Sequence, residues 1–155
     1  MLVSKDDFAI KSSNFDLSNG DNIIRIICGL FMFPHVASKF VGGALNEKTV
    51  GFFAKAGFVP PEAFVYLAAG VETLAGIMLV LAICTRWGAL MAAGALAVAA
   101  FALFQVGGFK WVWNLGGFEY PVFWAITCMA VAVKEFKRVS AVPSPGYTAA
   151  QMRTA

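Results

Sequence analysis

Four apolar runs constrain this chain more than any other feature. Each is close to the roughly 20 residues that a helix needs to cross a bilayer. They fall at about residues 22–41, 62–84, 87–106 and 118–136. A soluble domain of 155 residues has no interior large enough to hide so much apolar chain. Composition agrees: 59% of the residues are hydrophobic and 14% charged, with a mean hydropathy of +0.73. Soluble domains average about 45–50% apolar and about 25% charged. In lipid every backbone polar group has to be paired internally, which runs of this length achieve as helices. The expected fold is all-α, an integral membrane four-helix bundle spanning residues 22–139. A polar segment, 1–21, precedes it and a flexible tail, 140–155, follows it.

The punctuation between the runs supports these boundaries. "SNGDN" (residues 18–22) combines a turn with a helix N-cap. "VPPEAF" (59–64) suits a helix start, with Pro61 and Glu62 in the first turn. Only "TRW" (85–87) separates the second and third runs, which predicts a tight antiparallel hairpin. The loop "GGFKWVWNLGGFEYP" (107–121) carries Trp111 and Trp113, which read as interface anchors. No signal peptide is expected, because the first run is long and lacks a small-residue cleavage site.

Four spans put both termini on one side. Lys5, Lys11, Arg86, Lys134, Lys137, Arg138 and Arg153 fall on that side, against Lys48, Lys55 and Lys110 on the other. The positive-inside rule then makes both termini cytoplasmic, in a multi-pass protein of a bacterial-type inner membrane. The net charge of +3 is modest and its charges sit at the ends of apolar runs, which excludes a nucleic-acid footprint. Cys28, Cys84 and Cys128 are odd in number and widely spaced. They read as small buried hydrophobes, not as a disulfide framework or a zinc site. No metal site is expected.

The first run, "NIIRIICGLFMFPHVASKF", carries three ionisable groups. Arg25, Cys28, Met32, His35 and Lys39 are spaced so that a helix gathers them within roughly 80° of arc. A charge at the bilayer centre costs at least about 2.5–3.5 kcal/mol, so this face is expected to look into the protein. Arg25 and Lys39 lie near the two ends, within snorkelling reach of water, whereas His35 lies nearer the middle. His35 has three readings: a neutral imidazole bonded to a backbone carbonyl, a quinone or ligand contact, or a metal or haem ligand. One histidine alone cannot supply bis-histidine haem ligation. Pro34 lacks the N–H that would pair with the Leu30 carbonyl, so a kink is expected there.

Glu72 sits near the centre of the second run, flanked at helical spacing by Ala68, Ala69, Ala75 and Gly76. Small residues permit close helix approach. A carboxylate at that depth needs a cationic or hydrogen-bonding partner, and the expected partners are His35 and Arg25. Glu72 reads either as half of an ion pair clamping the bundle or as a proton-handling, quinone-binding group. Glu119 and Tyr120 open the fourth run and read either as a helix cap and interface belt or as the mouth of a headgroup pocket.

These segments resemble the DoxX-like family of small four-helix membrane proteins. The likeness rests on "RIICGLFMFPHVASKF", on Phe52 to Leu90 and on "FEYPVFWAITCMAVAV". Arg25, Gly29, Phe33, Pro34, His35 and Lys39 match the family's first-helix pattern, with Val36 where a glycine is expected. Phe52, Phe53, Ala54 and Gly57 match its loop. Glu72, Gly76, Leu79, Thr85 and Arg86 match the next run, in which Ala75 and Ala82 replace glycines. Glu119, Tyr120 and Pro121 match the last. The resemblance implies a membrane subunit associated with a quinone-linked electron-transfer complex. Arg25, His35, Glu72, Glu119 and Tyr120 would then be the expected quinone-pocket residues, with Pro34, Lys39, Gly76, Arg86, Trp111 and Trp113 structural. The alternative is a non-catalytic accessory subunit that stabilises a larger membrane complex. Either way the expected partners are lipid and other membrane subunits, with quinone as the candidate cofactor. The chain offers no redox centre and no catalytic residue of its own.

Overall fold

The fold comes from a computed structural model, which describes Val3 and residues 5–140. It is all-α apart from one minimal hairpin. The helices are α1 (Gly20–Leu30), α2 (Met32–Ser38), α3 (Glu47–Lys55), α4 (Pro61–Leu81), α5 (Thr85–Gly107) and α6 (Glu119–Ser140). Strands β1 (Phe40–Val41) and β2 (Ala44–Leu45) form the antiparallel hairpin between α2 and α3. Short 3-10 turns occupy Lys5–Phe8, Ser12–Phe15 and Trp113–Leu115. The expected tail, from residue 141 onward, lies outside the described residues.

Local sequence explains most of the boundaries. The Asn19 side chain accepts a hydrogen bond from the Asp21 amide at 3.0 Å and caps α1. The first run is not one helix to residue 41. It breaks at Phe31, within the turn whose Leu30 carbonyl Pro34 cannot satisfy. It then ends at Ser38, because Gly42 and Gly43, both at positive φ, turn the chain back as a hairpin. A capped helix, α3, follows in what the apolar pattern leaves as a connection: the Asn46 side chain accepts from the Lys48 amide at 3.0 Å. Residues 82–84 join α4 to α5, a turn as short as expected but placed before "TRW", which opens α5 instead of separating the two helices. Within that turn Ala82 adopts a left-handed conformation, φ 58°, a region that favours glycine. α6 runs one turn beyond the expected limit of residue 136.

Packing runs through small residues. α4 lies against α1, α2, α3 and α5, while α6 packs on α5 and α1. At the α1–α4 crossing, a Cβ on Gly29 would lie 2.8 Å from the Gly76 carbonyl oxygen, and one on Gly76 would lie 3.1 Å from the Gly29 carbonyl oxygen. This is the close approach expected of Gly76. The interior is correspondingly alanine-rich, with Met32, Leu79, Val65 and Cys128 its largest fully buried side chains.

The outward faces are apolar rather than polar. Ile27 and Leu30 on α1, Leu74 on α4, Phe101 on α5, and Phe123 and Ile126 on α6 are all exposed. α4 and α5 are long and apolar enough to cross a membrane, with mean hydropathies of 2.0 and 2.1. Only 28% of each apolar window is buried, whereas the core helix of a soluble domain would be mostly covered.

A candidate ligand cavity between α2, α4, α5 and α6

A cavity of about 740 Å³ opens between α2, α4, α5 and the first turns of α6. Its walls are chiefly aromatic and small: Phe52, Phe53, Phe58 and Phe64 from the α3–α4 region, and Gly94, Ala95 and Ala99 from α5. The small α5 residues leave the space that the phenylalanines border. His35, Lys39, Glu72 and Tyr120 bring polar atoms to this apolar surround.

The polar groups are tightly organised. Lys39 Nζ donates to Glu72 Oε2 at 2.6 Å and to the His35 carbonyl oxygen at 3.1 Å. The pair is largely buried, with the Lys39 and Glu72 side chains 9% and 15% exposed. Among the described residues, Glu72 Oε1, both His35 ring nitrogens and the Tyr120 hydroxyl carry no hydrogen bond. The His35 ring is instead held by packing: it stacks on Tyr120 at 6.4 Å between centroids and lies 5.4 Å from Trp124. Glu72 and Lys39 are both within electrostatic reach of it. The result is an imidazole fixed in orientation, with its hydrogen-bonding edge available, beside an ion pair in an apolar wall.

The stripe expected on the first run does face inward. Arg25, Cys28, Met32 and Lys39 are buried, and His35 is exposed toward the cavity. The expected partnership of Glu72 differs: its cation is Lys39, not Arg25. The chain bends at Phe31 and turns after Ser38, which carries the lysine back over the carboxylate. Arg25 lies at the other end of α4. Its guanidinium donates to the carbonyls of Leu79, Val80 and Asn14, so a cation caps the negative end of that helix. It borders a separate polar recess of about 270 Å³, together with Asn14, Asp21 and Glu135.

Glu119 does not line the main cavity either. It accepts from the Trp113 amide at 3.4 Å and steadies the loop before α6. Of the two expected anchors, Trp113 borders the cavity and Trp111 packs edge-on against Phe118. Arg86, expected in the "TRW" joint as a structural residue, lies in the first turn of α5 and is 2% exposed. It bonds Asp7 at 2.9 Å and lies over the Trp87 and Phe136 rings. In the same turn, burial followed by the nearby Asp7 charge raises the Cys84 thiol above its ordinary range, with Arg86 opposing. Sequence reasoning missed Trp124 and the Phe52–Phe64 aromatics as cavity walls. The available signal was the spacing of phenylalanines in "GFFAKAGFVPPEAF", all brought to one side of α4.

The family model for DoxX matches residues 20–105, more than half of the chain. The protein therefore belongs to the DoxX family, a membrane-associated family. The matched region carries His35, Lys39 and Glu72, while Tyr120 and Trp124 lie beyond it. A Bacillus subtilis (strain 168) protein named "Putative oxidoreductase CatD" is 33% identical over 67 residues. The aligned part is 43% of this chain and 46% of that protein, so the chain spans about half the length of the relative it matches. No solved structure matches.

Proposed function

We propose that this protein is an integral membrane subunit associated with a quinone-linked electron-transfer complex, and that the main cavity holds a quinone head group. α1 with α2, α4, α5 and α6 would be the four spans of a bundle in a bacterial-type cytoplasmic membrane, with both termini cytoplasmic. The exposed apolar faces of all four support this reading. The observation that carries the quinone assignment is the His35 imidazole, packed against Tyr120 and Trp124 and unbonded at its ring nitrogens among the described residues, in an aromatic cavity of about 740 Å³. Ligand sites of this kind commonly enclose about 300–1,000 Å³ of mostly apolar space with a few placed polar groups. The flat head of a quinone suits the aromatic walls, and its carbonyls suit His35 and Tyr120 as donors. A bound quinone would supply two-electron, two-proton chemistry. Glu72 Oε1 and His35 would pass protons to or from it. Electrons would be exchanged with a partner subunit. The oxidoreductase in the name of the B. subtilis relative is consistent with this role.

A second reading keeps the chain as a non-catalytic accessory subunit. The 2.6 Å Lys39–Glu72 pair favours it, since the two charges neutralise each other without a ligand. Purification in mild detergent, followed by extraction and chromatography of bound quinone, separates the two. Quinone that is present in the wild type and lost on His35→Ala and Glu72→Gln supports the pocket. Intact complexes that carry no quinone, with normal activity in both variants, refute it and leave the accessory role.

A further inference from the structure

α4 and α5 run antiparallel from a short turn, and they pack closely near that turn. There a Cβ on Gly88 would lie 2.7 Å from the Met78 Cβ and 3.7 Å from the Ala75 carbonyl oxygen. Six residues further along α5, a distance of about 9 Å, a Cβ on Gly94 would meet nothing within 4 Å. The main cavity occupies the space that opens beyond this point. Its walls take in residues of α5 from Met91 to Leu103 and of α4 from Phe64 to Glu72. At about 1.5 Å per residue, those stretches are roughly 18 Å and 12 Å long. At ~30 Å³ for each water-sized group, the cavity of about 740 Å³ holds roughly 25 of them, more than one substituted ring requires.

Two side chains mark where this space meets the outside. Counted from the contact of Met78 with Gly88, Leu67 lies eleven residues back on α4 and Val98 ten residues on along α5. In an antiparallel pair that sets them at about the same level. Both line the cavity, yet they are 59% and 51% exposed. A side chain that lines a cavity and is half open to the outside stands at its rim. Both of these rims are aliphatic, and on the reading of α4 and α5 as spans they face acyl chains. The polar groups stand apart from them: His35 on α2, Tyr120 on α6, and the Lys39–Glu72 pair at the limit of the α4 stretch nearest the turn.

We propose that the gap between α4 and α5 is a lateral doorway to the bilayer, through which the cavity takes a quinone bearing a hydrocarbon tail, with the ring at His35 and Tyr120 and the tail between Leu67 and Val98. This inference rests on the quinone reading of the cavity. The division of the walls carries it. A ring with two carbonyls needs hydrogen-bond donors, and α2 and α6 bring them. A hydrocarbon tail needs apolar walls and an apolar exit, and α4 and α5 supply both. Gly94 and Ala95 keep the gap open, because neither has a side chain beyond Cβ. Moving a tail from lipid into an aliphatic gap only exchanges one apolar surrounding for another, so the tail adds little binding strength. The doorway instead selects the class of ligand. It admits molecules dissolved in the bilayer and lets the chain of a tail-bearing quinone leave without passing the polar groups.

The test uses the full-length protein in phosphatidylcholine nanodiscs. The probe is a decyl-benzoquinone with a diazirine at the end of its tail. It is photolysed with and without excess decylubiquinone, and the labelled residues are located by peptide mass spectrometry. The expected result is labelling at Leu67, Val98 and their neighbours on α4 and α5 that excess decylubiquinone removes. Gly94→Trp fills the gap while leaving His35, Tyr120, Lys39 and Glu72 in place. It should cut that labelling by about tenfold or more, the equivalent of an overpacked contact. Competable labelling confined to α1, α2 or α6, or left unchanged by Gly94→Trp, overturns the doorway and leaves the cavity reading intact. Labelling that excess decylubiquinone does not remove overturns both. Because the mapping is made on the wild-type chain, a variant that fails to fold does not protect the proposal.

Discussion

The two ends of the helical assembly hold the same kinds of residue to different effect. At the end where α4 turns into α5, Arg25 is engaged by the Leu79, Val80 and Asn14 carbonyls and Arg86 by Asp7. The amide of Cys84 also donates to the Asp7 carbonyl at 2.7 Å, so the N-terminal segment is tied down over the helix ends. At the other end, Lys39 and Glu72 neutralise each other, but His35 and Tyr120 keep polar edges toward a cavity. Buried charge at the first end serves as cement. At the second end only part of it does, and the remainder is placed for a ligand. The lesson is that burial of an ionisable group says little until its partners are known. Arg25 and Lys39 both looked like snorkelling cations, and both are buried and bonded.

Several substitutions would break or sharpen this contrast. The largest effect is expected from Glu72→Leu, which leaves Lys39 without its counter-charge in an apolar wall. Such a change costs about 3–5 kcal/mol, read as a lowered thermal midpoint in detergent. Adding Lys39→Met should recover most of that loss, because a well-packed apolar pair replaces a buried ion pair at little cost. Single and double variants of equal stability would show that the pair is not formed.

Asp7→Ala removes the Asp7–Arg86 ion pair at the opposite end, while the guanidinium keeps its contacts with Trp87 and Phe136. The expected cost is about 2–3 kcal/mol, and proteolysis should cut the freed N-terminal segment sooner. Unchanged protection would contradict the anchoring role of Asp7.

His35→Ala is predicted to do the reverse of these two. Its ring carries no hydrogen bond among the described residues, so stability should shift by no more than about 1 kcal/mol, mostly from lost ring packing. Retained quinone, by contrast, should disappear. A large destabilisation with quinone retained would reassign His35 to structure.

The smallest effect belongs to Asp21→Asn. The Asp21–Lys134 pair has side chains 55% and 49% exposed, and exposed pairs contribute little once solvent and salt screen them. The midpoint should move by less than about 0.5 kcal/mol, and raising the salt concentration should leave the wild type equally unaffected.

Much of the helical framework was legible residue by residue. Asn19 and Pro61 mark helix starts through capping and a fixed φ, and Pro34 marks a break through its missing N–H. Gly76 marks a close approach through its missing side chain. The hairpin at Gly42–Gly43 was also written in the chain, in a glycine pair that a two-residue turn favours, but the apolar run around it hid the signal. The candidate site was legible only in its ingredients. His35, Glu72 and Tyr120 line the cavity as a set, whereas Arg25 and Glu119 do not. Helical periodicity groups residues by face, and it carries no information about which neighbouring helix that face meets or at what height.

The chain by itself therefore determined that it folds as apolar helices, where several of them begin and break, and that one face of the first run is turned inward. Those properties follow from local hydrogen-bonding rules and from the cost of leaving polar groups unsatisfied, both read within a few residues. Only the tertiary structure decided that Lys39 pairs with Glu72, that Arg25 caps α4, and that Arg86 pairs with Asp7. Each of those contacts joins residues tens of positions apart. Together they depend on the bend at Phe31, on how α1 is set against α4, and on how the N-terminal segment meets α5.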